Sequence, residues 1–260
     1  MTFEQTFLLS AIAGATIFLG LPVGRLRNLS TGTQAVLTTA AAGVILFLIW
    51  DILAQAVEPV EGSLEAAADG SGPLGEFIVN VLAFGLSLAF GVLSLVWFAG
   101  RVRSRRANGV STHDIALGTA IGLGLHNLSE GLAIGQSAAN GATAFALILV
   151  VGFALHNATE GFGIAAPLTS GDRPSWRFLG ALGLIGGGPT FVGGVIGYSF
   201  VSPLLSIIFL GLAAGALIYV FNEMMATSRK FARPGVANVA LVIGLLVAFA
   251  TDFLLVALGA

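Results

Sequence analysis

The sequence predicts an all-α integral membrane protein with eight transmembrane helices, and three observations carry that expectation. Apolar residues make up 56% of the 260 and charged residues only 9%, with a mean hydropathy of +0.96. A soluble domain carries about 25% charged residues, so most of this surface is written for lipid. Stretches of roughly 20 apolar residues, the length that crosses a bilayer, can be drawn eight times with short links between them. The links, finally, segregate charge: all eleven Lys and Arg fall in the odd-numbered ones, and the even-numbered ones hold none. Positive charge resists translocation, which puts the odd links in the cytoplasm and both termini outside.

Taken in order, the first expected span covers 6–24 and closes on Arg25-Leu26-Arg27-Asn28. The second, 35–57, leads into an acidic stretch, 58–76, that holds Glu58, Glu61, Glu65, Asp69 and Glu76. Its Gly and Ala content reads as a mobile, solvated loop. The third, 77–99, runs into the basic segment Arg101–Arg106. The fourth and fifth, 114–136 and 142–167, are joined by a tight Ala139-Asn140-Gly141 link. After Gly171-Asp172-Arg173-Pro174 comes the sixth, 178–200, followed across Ser202-Pro203 by the seventh, 203–226. Ser228–Pro234 then leads to the eighth, 236–257. The chain reads as one transmembrane domain over 1–260. Its 36 glycines suit close helix packing in lipid, where small residues let backbones approach. A hinge at Gly186–Pro189 is the sharper alternative.

Several classes of function fall away. A net charge of −2 with no basic reading patch argues against a nucleic-acid partner. The absence of cysteine removes thiolate metal sites and Cys nucleophiles. No G-x-x-x-x-G-K-[ST] loop is present, so ATP is not an expected partner. The N-terminal segment carries Glu4 and no basic region, which reads as the start of the first span rather than a cleaved signal.

The chemistry sits in the fourth and fifth spans. A charged side chain at a helix centre costs about 2.5–3.5 kcal/mol on insertion scales, yet the chain places His and Glu there twice. The fourth span contains His126-Asn127-Leu128-Ser129-Glu130-Gly131 and the fifth His156-Asn157-Ala158-Thr159-Glu160-Gly161. Residues four apart share a helix face, so His126 points with Glu130 and His156 with Glu160. Counted from the cytoplasmic ends of their spans, the two His lie at depths of roughly 18 and 17 Å at 1.5 Å per residue. The helices run oppositely, so two imidazoles and two carboxylates are expected to meet near mid-membrane. Imidazole with carboxylate suits Zn, Fe, Co, Ni or Mn; soft Cu(I) would want sulfur. Asn127 and Asn157 are placed to lend carbonyl oxygens or to orient water.

At these residues the sequence resembles the ZIP (Zrt- and Irt-like) family of divalent metal transporters, in the paired form of its bacterial and archaeal branch. The resemblance implies a 3 + 2 + 3 inverted-repeat bundle, metal held at His126, Glu130, His156 and Glu160, and frequently a homodimer. It implies inward transport of a divalent ion, Zn2+ foremost with Fe2+, Mn2+ and Cd2+ as alternatives. The metal is then cargo, not a resident cofactor, and the location is the cell membrane of a prokaryote. Three departures stand out. Ser129 and Thr159 occupy the place before the motif Glu where relatives often have Pro. Gly188 precedes Pro189 where many relatives carry a Glu, so one tight ion position is expected rather than a full binuclear pair. The His-rich cytoplasmic loop of eukaryotic relatives is absent, leaving His113 and Asp114 near that mouth.

Other polar residues are open to two readings. Asn222 and Glu223, near the inner end of the seventh span, are candidates for the exit path with His113 and Asp114, or for interfacial snorkelling. Asp51 is either an attractor at the outer approach or simply solvated, and Asp252 reads as interfacial. Two other functions compete with metal transport. An intramembrane zinc hydrolase could use His2Glu ligation, though H-E-x-x-H is missing and no separate carboxylate stands as base. An ion-coupled carrier of a small organic solute would need more room and more donors than this core offers.

Overall fold

The computed structural model describes residues 1–27, 29–105, 111–200, 202–229 and 233–258. Every regular element among them is helical. In chain order these are α1 (Phe3–Ala15), α2 (Ile17–Gly20), a 3-10 turn (Leu21–Arg25), α3 (Thr31–Ala68), α4 (Leu74–Arg105), α5 (Thr112–Ala139) and α6 (Thr143–Ala165). A second 3-10 turn (Ala166–Ser170), α7 (Trp176–Ser199), α8 (Pro203–Ser228) and α9 (Pro234–Leu258) complete the chain. The expected positions Asn28, Arg106 and Lys230 lie outside the described residues.

Seven of these segments are long and apolar enough to cross a membrane. The eighth is α5, which has the length, 28 residues, but a polar content that lowers its hydropathy. Its surroundings explain the difference. α5 packs most extensively on α7, then on α8 and α6, and meets protein rather than lipid along much of its length. The outer helices show the opposite character: Leu86, Phe90 and Leu93 of α4 and Val239, Ile243 and Leu246 of α9 are exposed, as lipid-facing side chains should be. α3, α4, α8 and α9 pack chiefly on one another, while α1, α5, α6 and α7 form a second group held against them mainly through α5 on α8.

The first span is not one continuous helix. Thr16 turns its hydroxyl back onto the Ala13 carbonyl at 2.7 Å, and the chain then tightens into a 3-10 turn around Pro22, which has no N–H to extend an α-helix. The acidic stretch also departs from expectation. α3 continues to Ala68, so 58–68 is helix rather than mobile loop, and Pro59 is carried inside it. The run Leu64-Glu65-Ala66-Ala67-Ala68 is made of strong helix formers. The helix stops at Gly70, whose φ of +79° suits the left-handed turn, while Gly72 N–H returns to the Ala66 carbonyl at 2.8 Å. The opposite outcome holds at Gly186–Pro189. α7 stays helical through Pro189, and its glycines serve contact: a Cβ on Gly131 of α5 would lie 2.0 Å from the Thr190 carbonyl oxygen. Only bare backbone lets α5 and α7 approach this closely.

Candidate metal centre

Two antiparallel helices joined by the Asn140-Gly141 turn deliver the site. Gly141 adopts φ +79°, which permits α5 to reverse into α6 within a few residues. Helical periodicity then sets His126 Nε2 3.3 Å from Glu130 Oε1 on the same helix. Across the interface, Glu160 Oε1 lies 3.7 Å from the same nitrogen. The ligand atoms of His126, Glu130 and Glu160 all lie within 4.8 Å of one another, and all three residues are buried. His156 occupies α6 one turn before Glu160, but its side chain lies outside the described residues.

The two asparagines bridge the helices reciprocally. Asn127 of α5 donates from Nδ2 to Glu160 Oε2 of α6 at 2.7 Å, to Asn157 Oδ1 at 2.6 Å and to the Gly186 carbonyl at 3.0 Å. Asn157 of α6 donates from Nδ2 to Glu130 Oε2 of α5 at 3.5 Å and to the Ala13 carbonyl at 3.2 Å. Each motif's Asn thus steadies the other motif's Glu. These hydrogen bonds occupy one oxygen of each carboxylate and leave Oε1 of both turned toward His126. Asn127 Oδ1 is buried and accepts no hydrogen bond. The Ala13 carbonyl lies at the break in the first helix, where it also accepts from the Thr16 hydroxyl. Sequence spacing gave no sign of the Ala13 and Gly186 carbonyls, since neither involves a chemically distinctive side chain.

Two carboxylates facing one imidazole in a dry interior form an acceptor-rich point. Burying such charge without compensation is costly, and a dication offsets it more completely than the imidazole alone. Ser129 donates its hydroxyl to the His126 carbonyl at 2.5 Å, and α5 runs through the motif without interruption. Gly188 lies away from this cluster. It lines a crevice between α1 and α7 with Ala11, Phe18 and Phe191, and a Cβ there would meet no atom within 4 Å.

The remaining sequence candidates are dispersed. Asp51 is half-buried on α3 and accepts from Gln55 Nε2 at 2.8 Å. Asn222 is exposed and Glu223 half-buried toward the end of α8. The His113 ring packs on Phe178 with centroids 4.8 Å apart. Asp114 has a local duty: its carboxylate accepts from the Ser111 N–H at 2.9 Å and the Ser111 hydroxyl at 2.6 Å, closing a capping box at the start of α5.

The described residues form a helical membrane bundle with a buried imidazole–carboxylate cluster between two antiparallel core helices, a donor set able to hold a cation. A family model for the ZIP zinc transporters matches residues 99–258, which takes in the end of α4 and everything from α5 to α9. The chain belongs to that family, whose members transport divalent metal ions. Comparison with curated proteins gave no match.

Proposed function

We propose that this chain moves divalent transition-metal ions, Zn2+ foremost, across the membrane into the cytoplasm, with His126, Glu130, His156 and Glu160 as the ligands. The convergence of His126, Glu130 and Glu160 within 4.8 Å carries this reading. In the site, imidazole supplies a borderline-soft nitrogen and the two carboxylates supply charge, the donor set that suits Zn2+ and tolerates Fe2+, Mn2+ and Cd2+. Asn127 Oδ1, buried and without a donor, is proposed as a further oxygen ligand, while the amide groups of both asparagines hold the carboxylates in position. Asp51 acts at the outer approach by charge alone, and Glu223 on the inner side. The ion is cargo, so its hold must be reversible.

The test is uptake by proteoliposomes of Zn2+, Fe2+, Mn2+ and Cd2+ in parallel, with Glu130→Ala and His156→Ala beside the native chain. Zn2+ uptake is expected to be saturable and to fall at least tenfold in either variant, the scale on which losing a metal ligand acts. Uptake unchanged in both, or no metal uptake by the native protein, would overturn the assignment.

A further inference from the structure

The cytoplasmic ends of α1 and α7 carry a charge arrangement that metal binding does not use. Arg25, at the end of the first 3-10 turn, donates from Nη1 to the Pro174 carbonyl at 2.5 Å, and its guanidinium lies 4.4 Å from the centroid of the Trp176 ring. Arg27 donates from Nη1 to the Gly171 carbonyl at 3.4 Å. The link that receives both bonds itself carries Arg173. Arg173 stands between Gly171 and Pro174, the two residues whose carbonyls accept these bonds, so three arginines meet on one short link. Arg177 adds a fourth on the first turn of α7.

Such a gathering of like charge needs a counter-charge, and the protein provides little. Among the described residues none of the three is ion-paired to a carboxylate. Asp172 stands in the same link but is exposed, where solvent screens it. Arg25 Nε and Arg27 Nη2 are removed from water and have no acceptor. A structural clasp would explain the two backbone carbonyl bonds. It does not explain the surplus of charge.

Location supplies the complement. The cluster lies at the ends of the first and sixth spans, which the arginine distribution assigns to the cytoplasmic side, and Trp176 is 62% exposed beside it. Amphipathic indole rings favour that depth. We propose that Arg25, Arg27 and Arg173 bind the phosphodiester headgroup of an anionic phospholipid from the cytoplasmic leaflet, with Trp176 packed along the glycerol and upper acyl region. Guanidinium forks suit phosphate oxygens, and basic pockets at the cytoplasmic ends of helices are a recognised setting for such lipids.

Arg173 is the residue to change, because it is exposed and makes no hydrogen bond, whereas Arg25→Gln would also loosen the clasp. Native mass spectrometry of the full chain in detergent, titrated with phosphatidylglycerol or phosphatidylcholine of matched chains, reads the preference. Phosphatidylglycerol should bind more tightly, Arg173→Gln should weaken it about fivefold, and Arg173→Lys should restore most of the loss. Arg233→Gln, beside the first turn of α3 and outside this link, should leave it unchanged. Equal binding of the two lipids, or equal losses in Arg173→Gln and Arg233→Gln, would overturn the proposal. So would displacement of phosphatidylglycerol by millimolar inorganic phosphate, which would make the site one for free anions.

Discussion

At the scale of single residues, the motif has an internal division of labour that its spelling hides. His126, Glu130 and Glu160 present their atoms to one point, and each Asn holds the Glu of the opposite helix. The two braces are unequal, because Asn127 reaches Glu160 at 2.7 Å while Asn157 reaches Glu130 at 3.5 Å. Removing Asn127 leaves a buried carboxylate oxygen short of its donor, a loss of about 1–3 kcal/mol when the partner stays behind. Asn127→Ala should therefore weaken Zn2+ binding by roughly 10- to 100-fold, the usual range for a group that orients a ligand. Asn157→Ala should cost less through its carboxylate. Calorimetric titration of Zn2+ into the purified variants ranks the two, and the reverse order would show that the bond to the Ala13 carbonyl matters more than either bridge.

At the scale of helices, glycine placement separates contact from idle space. Gly131→Ala would drive a methyl group to 2.0 Å from the Thr190 carbonyl oxygen, with the backbone of α7 in the way. Gly188→Ala meets nothing within 4 Å and exchanges a poor helix former for a good one. The first should destabilise the protein by about 1–3 kcal/mol or more. The second should be neutral or slightly stabilising, and thermal unfolding in one detergent compares them. A second expectation concerns the far end of α3. Because 58–68 is helical, its amides should exchange slowly relative to those of Ser71 and Gly72, and Ala67→Pro should erase that protection. Hydrogen bonds from Ser71 hold the Asp69 carboxyl below the usual carboxylate range. That folded-state depression means the cap is intact at neutral pH and is lost only as pH falls through the lowered value.

These elements also show what the sequence makes legible. Hydropathy and the arginine distribution locate the spans because lipid and translocation act on composition, residue by residue. α5 is the least apolar of the spans drawn from the sequence, since a helix surrounded by protein is free of the demand for apolar side chains. The extension of α3 is hidden because Glu, Gly and Ala look alike in a solvated loop and in a solvated helix. The break at Thr16 is hidden for another reason: it depends on a hydroxyl folding back and on a carbonyl that Asn157 claims from a distant part of the chain. The same holds for the bridging asparagines. Spacing along one helix places side chains on a face, but the partner across the interface is set by packing.

For the whole molecule, the decisive feature is that two buried carboxylates, Glu130 and Glu160, face the His126 imidazole inside the bundle. On the proposed ligation, protons and metal ions compete for the same atoms. The metal takes neutral imidazole and ionised carboxylate, so each bound ion displaces whatever protons those groups hold. The sign follows directly: lowering pH raises proton occupancy of the ligands and weakens metal binding. An ion that binds only the folded protein also stabilises it, by about 2.7 kcal/mol when present at a hundred times its dissociation constant. The rise in unfolding temperature produced by a fixed Zn2+ concentration should consequently be largest near pH 8 and shrink toward pH 5.5, and Glu160→Gln should lower the pH 8 value itself. A zinc-induced rise independent of pH would mean that the ion stabilises the protein through groups that do not titrate in this range, which excludes the imidazole–carboxylate cluster as its site.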